Sequence, residues 1–253
     1  MNKLSNKKIL ITGASQGLGR ELALAFAGEN AEALSISARD KASLNKVAYQ
    51  INQISPSTHV IVIAGDLCLP GDVERIVATT LKSFGGRIDV LVNNASAIGP
   101  TPIPYLLDYP PEDFNRVLAT NLVAPFLLIR SVLSSMIENG GSIINVTSDA
   151  GVIGYPGWGA YGISKFGLEG MSQTWASELQ DTSVRVNWVD PGAMNTLMHR
   201  DAEPDEDPEQ WADPASVTGV FVFLASDESA SISGHRFQAQ ENWKQLIKTK
   251  HHA

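Results

Sequence analysis

Tyr161 and Lys165 stand four residues apart in a stretch, residues 160–180, whose pattern predicts a helix. Their side chains therefore rise from one face, a turn apart. A phenol titrates near pH ~10 on its own, and a fixed ammonium one turn away favours the phenolate. Lys165 is thus expected to draw Tyr161 down toward the range in which a proton donor is useful. Ser148 precedes the pair, directly after the apolar run 142–147 (Ser-Ile-Ile-Asn-Val-Thr), which Gly140 and Gly141 bound. That composition is what a buried parallel strand requires, and it sets a hydroxyl at the strand's carboxyl end, where open α/β sheets bind ligands. A Tyr–Lys pair at this spacing also occurs in ordinary helices. Its meaning depends on the rest of the chain.

Residues 7–12 read as a first strand and residues 17–29 as an amphipathic helix. Between them Thr12-Gly13-Ala-Ser15-Gln16-Gly17-Leu18-Gly19 forms a turn whose glycines let backbone N–H groups approach a pyrophosphate at the helix amino end. The same turn contains Gly13-x-Ser15-x-Gly17, the nucleophile-elbow pattern of α/β-hydrolases. That second reading would need Ser15, a later Asp, and His199 or His235. It lacks the strands and oxyanion loop that must precede an elbow.

With Ser148, Tyr161-x-x-x-Lys165 and Thr12-Gly13-x-x-x-Gly17-x-Gly19 in place, the chain resembles the short-chain dehydrogenase/reductase family as far as about Gly234. The resemblance implies one Rossmann-type α/β domain over residues 1–253, with a doubly wound parallel sheet of about seven strands and helices on both faces. It implies an enzyme that interconverts a CH–OH group and a carbonyl with NAD(P). Tyr161 would be the acid/base, Ser148 would hold the carbonyl oxygen, and Lys165 would lower the tyrosine and hold the ribose. Asn121 would support a water linking Lys165 to solvent; a plain side-chain to backbone bond is the other reading of that residue. Cofactor contacts would come from Gly13, Ser15, Gln16, Gly17, Leu18 and Gly19 in the turn, and from Asp66, Leu67, Asn93 and Ala95 after later strands. Tyr161, Lys165, Pro191, Gly192 and Thr196 would complete them.

The second strand, residues 33–38, ends on Ala38 and Arg39, about 20 residues past the glycines. An acidic residue there suits the ribose of NAD, whereas arginine suits the 2'-phosphate of NADP. NADP(H) is therefore favoured over NAD(H), with a plain solvated arginine as the alternative. Asp66 follows a third strand (59–64); in the family an Asp so placed bonds the adenine amino group, and a turn-forming Asp is compatible with that. Helices are expected at 41–54 and 72–84 and a fourth strand at 88–92. A proline-rich loop over 99–111 should cover part of the site. A long helix at 112–137 should bend at Pro125. A sixth strand at 184–189 and a last core helix at 214–225 complete the pattern.

A chain of 253 residues, 43% hydrophobic, is large enough for one domain with a sizeable core. Its formal charge of -8 argues against nucleic acid. No apolar run approaching the ~18 residues of a membrane span is apparent, and a cytoplasmic protein is expected. Partners should be a small carbonyl or alcohol substrate and further copies of the chain, as a homodimer or homotetramer. Cys68, the single cysteine, excludes an intrachain disulfide. His251 and His252 have no metal-ligand spacing to other clusters, so no metal is assigned. The run 201–209 holds six carboxylates where the family carries a substrate lid. If it folds over the site, it should disfavour anionic substrates such as acyl-carrier-protein thioesters. Residues 240–253 depart from the family's common ending.

Overall fold

The strands form where apolar runs end in turn residues. β1 (Lys8–Thr12), β2 (Ala33–Ala38), β3 (His59–Ala64), β4 (Val90–Asn93), β5 (Gly141–Val146), β6 (Val184–Asp190) and β7 (Arg236–Gln238) make one sheet in the computed structural model, which describes residues 2–248. The strand order is β3-β2-β1-β4-β5-β6-β7, and all neighbours pair parallel. The chain winds outward from β1 to β3, then returns to β4 on the other side. A crevice therefore opens between β1 and β4 at the carboxyl ends of the strands.

Each inner strand is buried on both faces, because successive side chains alternate. Ile9 and Ile11 face one cluster with α1 (Gly17–Gly28), α2 (Lys41–Ile54) and α8 (Gly219–Ala225), where Phe26 and Phe221 are fully buried. Burial of such a side chain is worth ~1.5–3 kcal/mol. Leu10 faces the opposite cluster, against α3 (Pro70–Ser83), α5 (Ala124–Asn139) and the partly buried Trp175 of α6 (Gly159–Glu178). The α2 helix starts where it does because the Asp40 carboxylate accepts from Ala42 N and Ser43 N.

Several boundaries move by a residue or two. The fourth strand begins at Val90 rather than residue 88, the fifth ends at Val146, and the third helix starts at Pro70, since proline suits a first helical turn. The expected last core helix divides into a 3-10 turn, Pro214–Val217, and α8. The 99–111 loop contains a 3-10 turn, Leu106–Asp108. It lies against the start of α6: a Cβ on Gly159 would stand within 2.4 Å of Leu106 Cδ2.

The long helix, expected to bend at Pro125, changes its winding just before that proline. α4 (Pro111–Leu118) passes through a π-turn, Ala119–Val123, into α5, with Pro125 in α5's first turn. Proline lacks the N–H that the carbonyl of residue 121 would use in a regular helix, and the widened turn absorbs the mismatch. The whole run, Pro111–Asn139, is long and apolar enough to cross a membrane by length and composition, contrary to the expectation that no such run exists. In this fold its Leu128, Ile129, Val132 and Met136 pack into the core. At the other end, α9 (Trp243–Lys248) carries Trp243 to within 5.4 Å of the Phe223 ring. His251 and His252 lie outside the described residues.

Candidate active site

The glycine turn is built by close contact. Gly13 has φ +68, and a Cβ there would lie 2.8 Å from Ala95 Cα; on Gly19 it would lie 2.3 Å from the Gly13 carbonyl oxygen. Asn94 Nδ2 braces this crossing by donating to Thr12 O (2.9 Å) and Gly13 O (3.2 Å). Thr12 Oγ1 accepts from the main-chain N–H groups of Asn94 and Ala95, both at 3.1 Å. The amino end of α1 follows at once, with Gln16 at the cap and no side chain bonded to the first N–H groups. Uncapped helical N–H groups at a glycine turn suit an anion.

These residues line a cleft of about 520 Å³. Gly13, Ser15, Gln16, Gly17, Leu18 and Gly19 form one wall, and Arg39 stands at another. Arg39 is exposed and has no hydrogen-bond or ion-pair partner among the described residues; the adjacent Asp40 carboxylate is spent on capping α2, and the Ser43 hydroxyl and Ala42 N–H hold it below its usual range. Asp66, Leu67 and Ala95 also line the cleft. Asp66 Oδ1 accepts from Cys68 N (3.0 Å), the turn-forming role. Two buried hydroxyls in the cleft wall, Ser37 Oγ and Ser96 Oγ, have no hydrogen-bond partner among the described residues. Orphaned buried donors, an uncapped helix end and a close-packed glycine turn fit a phosphorylated dinucleotide.

Asn93 is placed differently from the expectation. Its side chain points into the core, where Nδ2 donates to Asn145 Oδ1 (2.8 Å), and Asn145 Nδ2 donates to Ser172 Oγ (2.8 Å). The neighbouring Asn94 faces the cleft instead, as alternation along a strand end dictates. Gly192 also stays out of the lining. Its φ of +72 turns the chain after β6, and Gln240 Nε2, from the divergent carboxyl-terminal segment, donates to Pro191 O (3.0 Å) and Ala193 O (2.8 Å) around it. Pro191 and Thr196 do line the cleft. Thr196 Oγ1 caps α7 (Leu197–Ala202) by accepting from His199 N (3.2 Å), and its Cγ2 would stand 3.4 Å from a Cβ on Gly17.

Tyr161 and Lys165 enter the same cleft from α6. Lys165 is buried; its Nζ lies 5.4 Å from the Tyr161 ring centroid and donates to the Val146 carbonyl (2.8 Å). Burial lowers the lysine to about 8, against the pull of Asp190 and Glu169. Tyr161 is not drawn down as expected. Desolvation holds its hydroxyl above the ordinary tyrosine range; a hydrogen bond with Ser148 opposes this, while Asp190 and Asp149 add to it. The pairwise expectation omitted burial and these two carboxylates. Ser148 Oγ donates to Asp149 Oδ1 (2.8 Å), and Asp149 Oδ2 accepts from Tyr155 OH (3.0 Å).

Asn121 sits in the π-turn, almost wholly buried. Its Oδ1 accepts from Ala97 N (2.7 Å), and its Nδ2 donates to Ala97 O (2.8 Å) and Ser164 Oγ (3.0 Å). Ser164 Oγ in turn donates to the Tyr161 carbonyl (2.6 Å), so Asn121 braces the turn that carries Tyr161. The side chain is fully engaged, and any water it assists must be held by its main-chain carbonyl.

At the cleft's edge, Asn195 N donates to Ala212 O (2.9 Å) and Ala212 N to Ala193 O (3.3 Å), tying both ends of the acidic segment together. Within it, Trp211 Nε1 donates to Glu206 Oε2 (3.0 Å), and the His199 ring meets Trp211 edge-on at 4.3 Å. Burial lowers His199, with Glu206, Glu203 and Asp149 opposing. The hydrolase reading would need His199 or His235 beside Ser15; the His199 ring instead meets Trp211 edge-on, and His235 Nδ1 lies 2.6 Å from the Ser233 carbonyl. Sequence reasoning missed Asn94, Gln240 and Arg236. Only Asn94 carried a signal, as the second member of an Asn pair closing a strand.

Residues 7–207 match the family model for short chain dehydrogenase. The 3-oxoacyl-[acyl-carrier-protein] reductase FabG of Thermotoga maritima is 36% identical over 245 residues, covering 92% of this chain and 95% of that protein. A short chain dehydrogenase structure from Pseudomonas syringae aligns with TM-score 0.89 at 36% identity, covering 95% of this chain and 97% of that one. One from Escherichia coli CFT073, complexed with NADPH, aligns with TM-score 0.87 at 31% identity, covering 95% and 99%. The chain belongs to the short-chain dehydrogenase family and is an oxidoreductase of that family.

Proposed function

We propose that this protein reduces a carbonyl compound to a secondary alcohol, reversibly, with NADPH. The observation that carries this reading is that Tyr161 and Lys165 line the same cleft as the glycine turn and Arg39. NADPH, when bound, supplies the hydride. Tyr161 donates the proton to the substrate oxygen, and Ser148 holds that oxygen beside the phenol. Lys165 holds the ribose and passes a proton back to Tyr161, replenished through water at the Asn121 main-chain carbonyl. Burial of the tyrosine keeps its proton on until a developing alkoxide, a far stronger base than the resting carbonyl, withdraws it.

Arg39, exposed at the cleft and unpaired among the described residues, is suited to a 2'-phosphate through charge-assisted bonds worth ~1.5–3 kcal/mol. Consumption of NADPH over a panel of neutral ketones and aldehydes tests the activity. On a responsive substrate Arg39→Ala should weaken NADPH by roughly ten- to a hundredfold and spare NADH. A wild-type preference for NADH, or equal losses for both cofactors, would refute the assignment.

The second copy is proposed to dock on α5 and α6. Phe126 of α5 and Ile163 and Phe166 of α6 are exposed there, as is Val123 just before α5, and the Phe126 and Trp175 rings stack at 6.4 Å. Exposed large apolar side chains gathered on neighbouring elements suit an interface. Light scattering should give a dimer or tetramer that Phe166→Glu converts to monomer; a wild-type monomer at micromolar concentration counts against it.

A further inference from the structure

Three consecutive residues close β5 against the site, and each is held by a charged side chain. Lys165 Nζ donates to the Val146 carbonyl (2.8 Å). Thr147 Oγ1 donates to Glu169 Oε1 (2.8 Å). Arg236 Nη2 donates to the Ser148 carbonyl (3.1 Å), which also closes the next turn by accepting from Gly151 N (3.0 Å). The register between β5 and β6 ends at Val146 and Val189, with one last bond from Thr147 N to Val189 O (2.9 Å). At Ser148 the hold of the sheet passes to Arg236.

Arg236 reaches this carbonyl from β7, across β6, and is fixed on the way. Its Nε donates to Glu169 Oε1 (2.9 Å) and its Nη2 to Asp190 Oδ2 (3.0 Å), and both acidic side chains are only 6% exposed. Glu169 Oε2 also accepts from Trp188 Nε1 (3.2 Å), and Asp190 Oδ1 from Gly192 N (2.9 Å). One planar guanidinium thus serves two carboxylates and a carbonyl, which the compact ammonium of a lysine cannot do in the same fixed geometry. The same carboxylates act on the site from two elements: Glu169 from α6 and Asp190 from β6 both bear on Lys165, and Asp190 with Asp149 bears on Tyr161.

We propose that Arg236 is a positioning residue for the Ser148–Tyr161–Lys165 site: it fixes the main chain at Ser148, and so the Ser148 hydroxyl, and it keeps Glu169 and Asp190 from acting on Lys165 as unpaired anions. The inference rests on the carbonyl-reductase reading above. Arg236→Gln should lower kcat about ten- to a hundredfold and leave NADPH affinity within about threefold, because Arg236 acts on the reacting groups and does not line the cofactor cleft. It should also move the basic limb of the pH profile upward, since an ammonium beside two uncompensated carboxylates keeps its proton to higher pH. Arg236→Lys keeps the charge without the fork, so it should return the limb to its wild-type position while recovering only part of kcat.

A purely structural arginine would lower stability alone; an unmoved limb with unchanged kcat per folded molecule overturns the proposal. Should Arg236→Gln fail to fold, Arg236→Lys decides, and an unchanged kcat in that variant overturns it. Competitive acetylation of Lys165 against pH, read by mass spectrometry, separates the two hypotheses because it needs no substrate. A wild-type chain that binds NADPH yet reduces nothing defeats the reductase reading. A higher labelling midpoint in Arg236→Gln would still support the electrostatic role, and an unshifted midpoint would overturn it.

Discussion

Tyr161→Phe should lower carbonyl turnover by at least ~10²-fold, the loss typical of a removed general acid, while NADPH binds as before. The substitution isolates the proton because the ring keeps its neighbours. Trp158 meets it edge-on at 5.5 Å and the Lys165 ammonium lies 5.4 Å from its centroid, and neither contact uses the hydroxyl. Folding should not suffer, since the group removed is a hydroxyl whose ionised form burial already disfavours. Steady-state kinetics beside a fluorescence titration of NADPH make the test. Turnover within a few fold of wild type would remove Tyr161 from the mechanism. Ser15→Ala is the companion: the hydrolase reading requires it to abolish ester cleavage, and the reductase reading does not.

The sheet was legible because β1 to β6 are largely apolar runs, with β1, β3, β4 and β6 closed by Gly, Asn or Asp and β2 and β5 by Arg39 and Thr147-Ser148, and the switch point follows from their order. β7 was not. It has three residues and begins with an arginine, so neither alternation nor an apolar run announces it. The π-turn escaped for a related reason, since one extra residue in a long apolar helix leaves the 3.6 period nearly intact on either side. The positions of Tyr161 and Lys165 in the cleft were readable from spacing, but their electrostatics were not. Asp190 and Glu169 reach the site from a strand and a later helical turn, and Arg236 joins them from 46 and 67 residues away in sequence. Spacing reports neighbours along one element. It is silent on burial, which here is the largest influence on Tyr161.

Lys165→Met should abolish most turnover, by ~10²-fold or more, and should also remove a distinctive pH dependence of stability. Lys165 is 2% exposed, and burial lowers it from its ordinary 10.5 to about 8. Between those values the unfolded chain still holds the lysine proton and the folded protein has released it. The unfolded state then binds more protons, so stability rises with pH across that window. The rise attributable to this one group is ~3 kcal/mol, and it is absent below pH about 8, where both states are protonated. Tyr161 acts in the opposite sense above pH ~10, where the unfolded phenol ionises and the buried one does not. The clean window therefore lies between about 8 and 10, and urea unfolding of wild type and Lys165→Met at intervals across it isolates the lysine, because every other group is common to both proteins. The wild-type advantage should grow steadily with pH through that window, by roughly 2–3 kcal/mol. Parallel stability curves for the two proteins would mean that Lys165 keeps an ordinary ammonium in the folded state, and the proton return from Lys165 to Tyr161 would then lose its electrostatic basis.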